Sequence, residues 1–209
     1  MKKLLAVLFL ISFSSNIFSS QALAQETAAN KVKIENAGNF VDDIGNKIIK
    51  VAGEKISEEK KKDKIIAIID KVIDAEWIAR FVLGKSYKIV NDTQKQSFTK
   101  LYREFMINTY GPKFKNYNGR KFTVLKVTEQ KGFYVAKSEF LPRDSNMPVS
   151  VDFRVKERDG KFVILDFIAE GVSLIETQRS EFNSTISEKG MDQFLMDLKA
   201  RVERLKKGN

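Results

Sequence analysis

The chain has 209 residues, enough for one domain with a core of its own, and it contains neither histidine nor cysteine. That excludes a Ser-His-Asp hydrolase, a disulfide framework and a cysteine-linked lipid anchor, and it leaves zinc without its usual ligands. The formal charge of +10 favours acidic partners or anionic surfaces. The lysines, however, are dispersed over "EEKKKDK" (58–64), the region from Lys113 to Lys121 and the C-terminal tail, and such runs are ordinarily solvated faces.

The N-terminus reads as a leader. Lys2 and Lys3 precede an apolar run from Leu4 to Phe13, broken only by Ser12, and a serine-rich stretch leads to Ala22-Leu23-Ala24. This is the pattern of a secretory signal peptide cut after Ala24. The apolar run is well short of the ~20 residues of a membrane span. The expected division is a leader over 1–24 and a single domain over 25–209, exported to a periplasm. Loss of Lys2 and Lys3 lowers the charge from +10 to +8, and nucleic acid is not a partner in that compartment.

Val32, Phe40, Val41, Ile44, Ile48, Ile49 and Val51 give 31–56 a helical period. Ser57, followed by Glu58 and Glu59, starts a second helix. Its stripe of Ile66, Ile69, Ile73, Trp77 and Phe81 continues at steps of three or four to Gly84, which predicts one helix with one apolar face. A capping box from Thr93 to Gln96 opens a third helix, which presents Phe98, Leu101, Tyr102, Phe105 and Thr109 and stops at Gly111-Pro112.

After Gly119 the period changes to two. "KFTVLKV" (121–127) and "FYVAKSEF" (133–140) are strands joined at Lys131-Gly132. "VSVDFRVKE" (149–157) alternates cleanly, Asp159-Gly160 is a hairpin signal, and "KFVILDFIA" (161–169) is apolar on both faces, as a central strand would be. With Asp159 and Gly160 as the loop, Val155 faces Ile164, Phe153 faces Asp166 and Val151 faces Ile168. One face then collects Val149, Val151, Phe153, Val155, Phe162, Ile164 and Ile168, and a slip of one residue would put Val151 and Phe153 in water. Met191, Phe194, Leu195, Leu198, Val202 and Leu205 form a final amphipathic helix. Helices, then four antiparallel strands, then helices predict an α+β fold with a curved sheet covered by helices.

Ser173 follows a strand and Gly171, which invites a nucleophile reading. No histidine exists to activate it, and the sequence Gly171-Val172-Ser173-Leu174-Ile175 lacks the second glycine of a nucleophile elbow. Ser173 and Glu176 instead have capping-box spacing.

Several segments, in this order, resemble the MlaC family of periplasmic phospholipid carriers, also known as toluene-tolerance auxiliary proteins. They are "WIARFVLGKSYK" (77–88), "FTKLYREFMINTYG" (98–111), "PVSVDFRVKERDGKFVILDFIAEGVS" (148–173) and "IAEGVSLIETQRSEFNSTISEKGMDQFLMDL", together spanning roughly 31–205. The resemblance implies a nuclear-transport-factor-like sheet with an added helical part, holding phospholipid acyl chains in an apolar cavity between sheet and helices. It also implies exchange with an inner-membrane ABC transporter complex and an outer-membrane lipoprotein–porin complex, which maintains outer-membrane lipid asymmetry, and no enzymatic activity. A monomer without cofactor or metal is expected. The candidate lipid-lining residues are Val151, Phe153, Ile164 and Ile168 on the sheet, with Trp77, Phe81, Phe105 and Tyr110 opposite and Ile175 after the Gly171 turn. Val151→Arg or Ile175→Arg is then expected to stay folded and purify without lipid. Two other classes stay open on the residues alone: an isomerase-like enzyme using Asp166 with Tyr102 or Tyr110, and a chaperone for outer-membrane proteins.

Overall fold

The computed structural model describes residues 14–111 and 119–208. The leader expected over 1–24 and the basic stretch from Lys113 to Lys121 lie partly outside the described residues.

A long helix α1 (Ser14–Ala52) leads to α2 (Glu58–Asp70), α3 (Ala75–Leu83), a 3-10 turn (Gly84–Lys88) and α4 (Asp92–Tyr110). Strands β1 (Gly119–Gln130), β2 (Phe133–Pro142), β3 (Val149–Arg158), β4 (Lys161–Ala169) and β5 (Val172–Ser173) follow, then α5 (Leu174–Lys189) and α6 (Met191–Gly208). The strands form one antiparallel meander in chain order. This is the expected α+β fold with a curved sheet, and a two-residue β5 extends the four expected strands to five. Three two-residue turns use the same chemistry: Lys131-Gly132, Asp159-Gly160 and Glu170-Gly171 all have positive φ, the backbone that matches the twist of paired strands.

Three local expectations give way. The stripe from Ile66 to Phe81 is two helices, not one. Its chain breaks at Val72–Asp74, where Ile164 of β4 donates its N–H to Val72 O at 2.7 Å and Asp74 donates to Ile164 O at 3.3 Å. Asp74 then caps α3 by accepting from Trp77 N at 2.9 Å. Sheet hydrogen bonds and a new cap thus replace helical ones at a site without Gly or Pro. The box opening α4 is Asn91 with Gln94, not Thr93 with Gln96: each side chain accepts from the other's backbone N–H, at 2.9 and 3.0 Å. Asn91 lies two residues earlier and has the better side chain for the role.

The third concerns β3 and β4. Arg158↔Lys161 and Val155↔Ile164 pair as expected, but a bulge follows and the partners become Arg154↔Asp166, Phe153↔Phe167, Asp152↔Ile168 and Val151↔Ala169. Leu165 is the extra residue, fully buried. Phe167 therefore joins Val151 and Phe153 on one face, and Asp166 and Ile168 turn to the other. A similar bulge at Leu125 in β1 keeps both Val124 and Val127 on the inner face and leaves Leu125 61% exposed.

Most of the buried apolar side chains fall into two clusters. One lies between the sheet and helices α1 and α2, with Val41, Ile44 and Ile65 over Phe122, Phe153, Val155 and Ile164. The other joins α3, α4, α5 and α6 around Phe98, Phe105, Phe182 and Phe194. Ile73, in the α2–α3 link, packs against both.

Candidate functional site

The structure separates the candidate residues into two groups. Trp77 and Phe81 stack on α3 with ring centroids 5.2 Å apart, and Trp77 also meets Phe133 of β2 edge-on at 6.2 Å. Both pack against the helical cluster, to which Phe105 and Ile175 belong outright. Tyr110 reaches that cluster's polar centre, where its hydroxyl lies 3.4 Å from Gln178 Nε2. Val151, Phe153 and Ile164 belong to the sheet-side cluster, and Ile168 is on the opposite sheet face.

The helix directly over the sheet is α1, for which the sequence predicts a helical period but no partner. Its approach is close. A Cβ on Gly45 would stand 2.1 Å from Phe122 Cδ1, and one on Gly38 would stand 3.1 Å from Val127 Cγ2. Gly38 and Gly45 are seven residues apart, two turns on one helical face, and that spacing was the available signal.

At the start of α5, polar groups are fully engaged. Ser173 Oγ accepts from Glu176 N at 3.1 Å, capping the helix, and donates to Asp166 Oδ2 at 2.6 Å. Asp166 Oδ1 accepts from Ile175 N at 3.3 Å, and Arg154 Nη1 stands 3.6 Å from Oδ2. Glu176 turns to Arg154 at 3.3 Å. Burial pushes the Asp166 carboxyl above its ordinary pKa, against the opposing pull of Ser173, Ile175 N–H and Arg154. Ser173 is thus architecture, and Asp166 holds it in place.

A second polar centre sits inside the helical cluster. The buried Tyr102 hydroxyl donates to Gln178 Oε1, and Gln178 Nε2 lies 3.2 Å from Met106 Sδ. Burial raises the Tyr102 pKa far above the usual phenol value. Tyr102 and Tyr110 both meet Gln178, Asp166 is bound by Ser173 and Ile175, and the Asp166 charge adds to the rise in the Tyr102 pKa.

Among the described residues no group of acidic side chains is placed to hold a metal ion, and no helix is long and apolar enough to cross a membrane. A cleft of about 280 Å³ opens between α5 and α6, with Phe182, Phe194 and Leu198 at its base and Glu181, Asp197 and Arg201 around it. None of the candidate residues lines it.

A family model described as MlaC protein matches residues 41–200. The chain belongs to the MlaC family. A curated relative, the intermembrane phospholipid transport system binding protein MlaC of Haemophilus influenzae, is 20% identical over 127 residues. The aligned stretch spans 59% of this chain and 59% of that relative. Among solved structures, the phospholipid-binding protein from Ralstonia solanacearum, in complex with a phospholipid, superposes with a TM-score of 0.69 at 19% identity. That match covers 81% of this chain and 98% of the other, and it shows that the two share a fold.

Proposed function

We propose that this MlaC-family chain binds phospholipid by its acyl chains and carries it through the periplasm, after removal of residues 1–24, between an inner-membrane ABC transporter complex and an outer-membrane lipoprotein–porin complex. The observation that carries the reading is the shared fold with a protein solved holding a phospholipid, over nearly the whole of that protein. The proposed lining is Val151, Phe153 and Ile164 on the sheet side and Trp77, Phe81 and Tyr110 on the helical side, with Ile73 at the seam and Phe105 and Ile175 as the packed core behind it. Ile168 enters only if the chains reach past the edge of the sheet.

Energetics favour delivery over free diffusion of lipid. At ~0.8 kcal/mol per methylene, about thirty methylenes would gain roughly 24 kcal/mol against water. That exceeds the practical ceiling of about 18 to 21 kcal/mol for noncovalent binding. Transfer from bilayer to pocket is apolar to apolar and nearly balanced, so loading and release occur at a docked membrane complex. The engaged state of Ser173 and Asp166 favours a carrier over an isomerase.

Mass spectrometry of lipid extracted from the purified chain tests this reading. Diacyl phospholipid is the expected ligand. A small polar molecule would return the isomerase class, and co-purifying unfolded outer-membrane protein without lipid would return the chaperone.

A further inference from the structure

The turn between α3 and α4 carries Ile89, which at 84% exposure is the most exposed large apolar side chain among the described residues. The backbone that presents it is pinned. Arg179 Nη1 donates to Phe81 O at 2.6 Å, Asn183 Nδ2 donates to Val82 O at 2.8 Å, and Ser86 Oγ lies 3.4 Å from Asn183 Oδ1. Ile89 N and Val90 N both donate to Ser86 O at 3.1 Å, and Ser86 and Val90 are themselves buried. A fixed turn thus holds one apolar side chain out in water, at a cost that core packing does not require.

The surroundings are cationic. Lys85 and Lys88 are exposed, and neither has an ion-pair partner among the described residues. Arg80 and Lys95 stand over the Tyr87 ring, 5.9 and 5.0 Å from its centroid, which keeps two more cations beside the turn. The nearby acid Asp92 is taken by Lys95 at 2.9 Å.

We propose that this turn is an interfacial anchor for an anionic bilayer surface. Ile89 enters between the headgroups, and Lys85 and Lys88, with Arg80 behind them, meet the lipid phosphates. An apolar side chain ringed by cations suits the headgroup–acyl boundary, and each lysine near an anionic surface adds attraction. A protein partner fits less well: the turn exposes no large aromatic anchor and offers lysines, which interface cores deplete. The proposal does not depend on lipid carriage, since the turn is outside the proposed lining.

Flotation of the purified chain with vesicles of phosphatidylglycerol and phosphatidylcholine, against phosphatidylcholine alone, tests it. Every variant keeps the same N-terminal segment, so the comparison isolates the turn. Lys85→Gln with Lys88→Gln should weaken binding to the anionic vesicles roughly thirtyfold, and Ile89→Ser about tenfold. The same charge loss at two hairpin tips, Lys131→Gln with Lys161→Gln, should change it little. An equal loss in the hairpin control would reduce the effect to bulk charge and overturn the proposal. So would unchanged binding by Ile89→Ser, or a wild type that ignores anionic vesicles and binds an acidic protein through Ile89.

Discussion

The two buried clusters are closed in different ways. The helical one is bound by ring-on-ring packing, Phe98 against Tyr102 at 5.4 Å and Phe182 against Phe194 at 5.1 Å, and by the Tyr102–Gln178–Tyr110 polar bridge between α4 and α5. The sheet-side cluster is covered by α1, which lies on the strands through Gly38 and Gly45, and by α2, which adds Ile65, with a Lys33–Glu157 ion pair at 2.9 Å tying α1 to β3. Four helices with a buried hydrogen-bonded centre make a wall that yields only by breaking several contacts together. A helical cover laid on an apolar sheet face can shift at less polar cost. The comparison teaches that apolar lining alone does not mark a lipid site, because the cover decides whether the space can open.

The sharpest way to break this contrast is to place the same charge in both clusters. On sequence alone Val151→Arg and Ile175→Arg are equivalent. In the structure Ile175 is 2% exposed inside the four-helix packing, whereas Val151 is only partly buried near the sheet end. Ile175→Arg is expected to lose at least about 4 kcal/mol and unfold. Val151→Arg should stay folded, its guanidinium reaching water, and lose lipid. Thermal unfolding with phosphorus analysis on the same samples checks both, and two equally folded variants would erase the distinction.

A smaller effect tests the cover. Gly45→Ala puts a methyl into the Phe122 ring and should cost about 1–3 kcal/mol. Phe122→Ala is itself destabilising, but the double variant should lose less than the sum of the two single losses, since it removes the group that clashes. If denaturant unfolding instead shows independent, additive losses, α1 does not rest on β1 through this contact.

Smaller again are the effects at the start of α5, where the second group of helices begins. Ser173→Ala removes the cap and one Asp166 partner and should cost about 1–2 kcal/mol in chemical denaturation, with bound lipid unchanged. Full stability with lost lipid would contradict the capping role. Asp166→Asn gives a pH signature. With its pKa raised by burial, the folded carboxyl holds a proton more tightly than the unfolded one. Wild type should therefore gain stability relative to Asp166→Asn as pH falls through the raised value toward the ordinary carboxylate value of about 4. A difference that moves the other way would mean that Arg154 and Ser173 outweigh burial.

Most elements were legible because their signals are local. The X-Gly turns, the alternation of β3 and the Ser173 cap depend on residues within a few positions of one another. What was not legible depends on distant partners. The Leu165 bulge leaves the strand's composition unchanged and moves Ile168 to the other face. The break at Val72–Asp74 exists because Ile164 supplies backbone hydrogen bonds from nearly a hundred residues away. The pairing of α1 with the sheet was hidden for the same reason: a helical period says that a face is buried, not against what. The candidate residues accordingly divide between two clusters that meet at Ile73, with Ile168 on the opposite sheet face.

Native mass spectrometry of the intact chain purified from cells, beside folded Val151→Arg, tests the central claim most directly. The account predicts that wild type carries an added mass equal to a diacyl phospholipid and that the variant has the mass of the bare chain. A wild type at the bare-chain mass, or a variant that retains the same lipid, would contradict it.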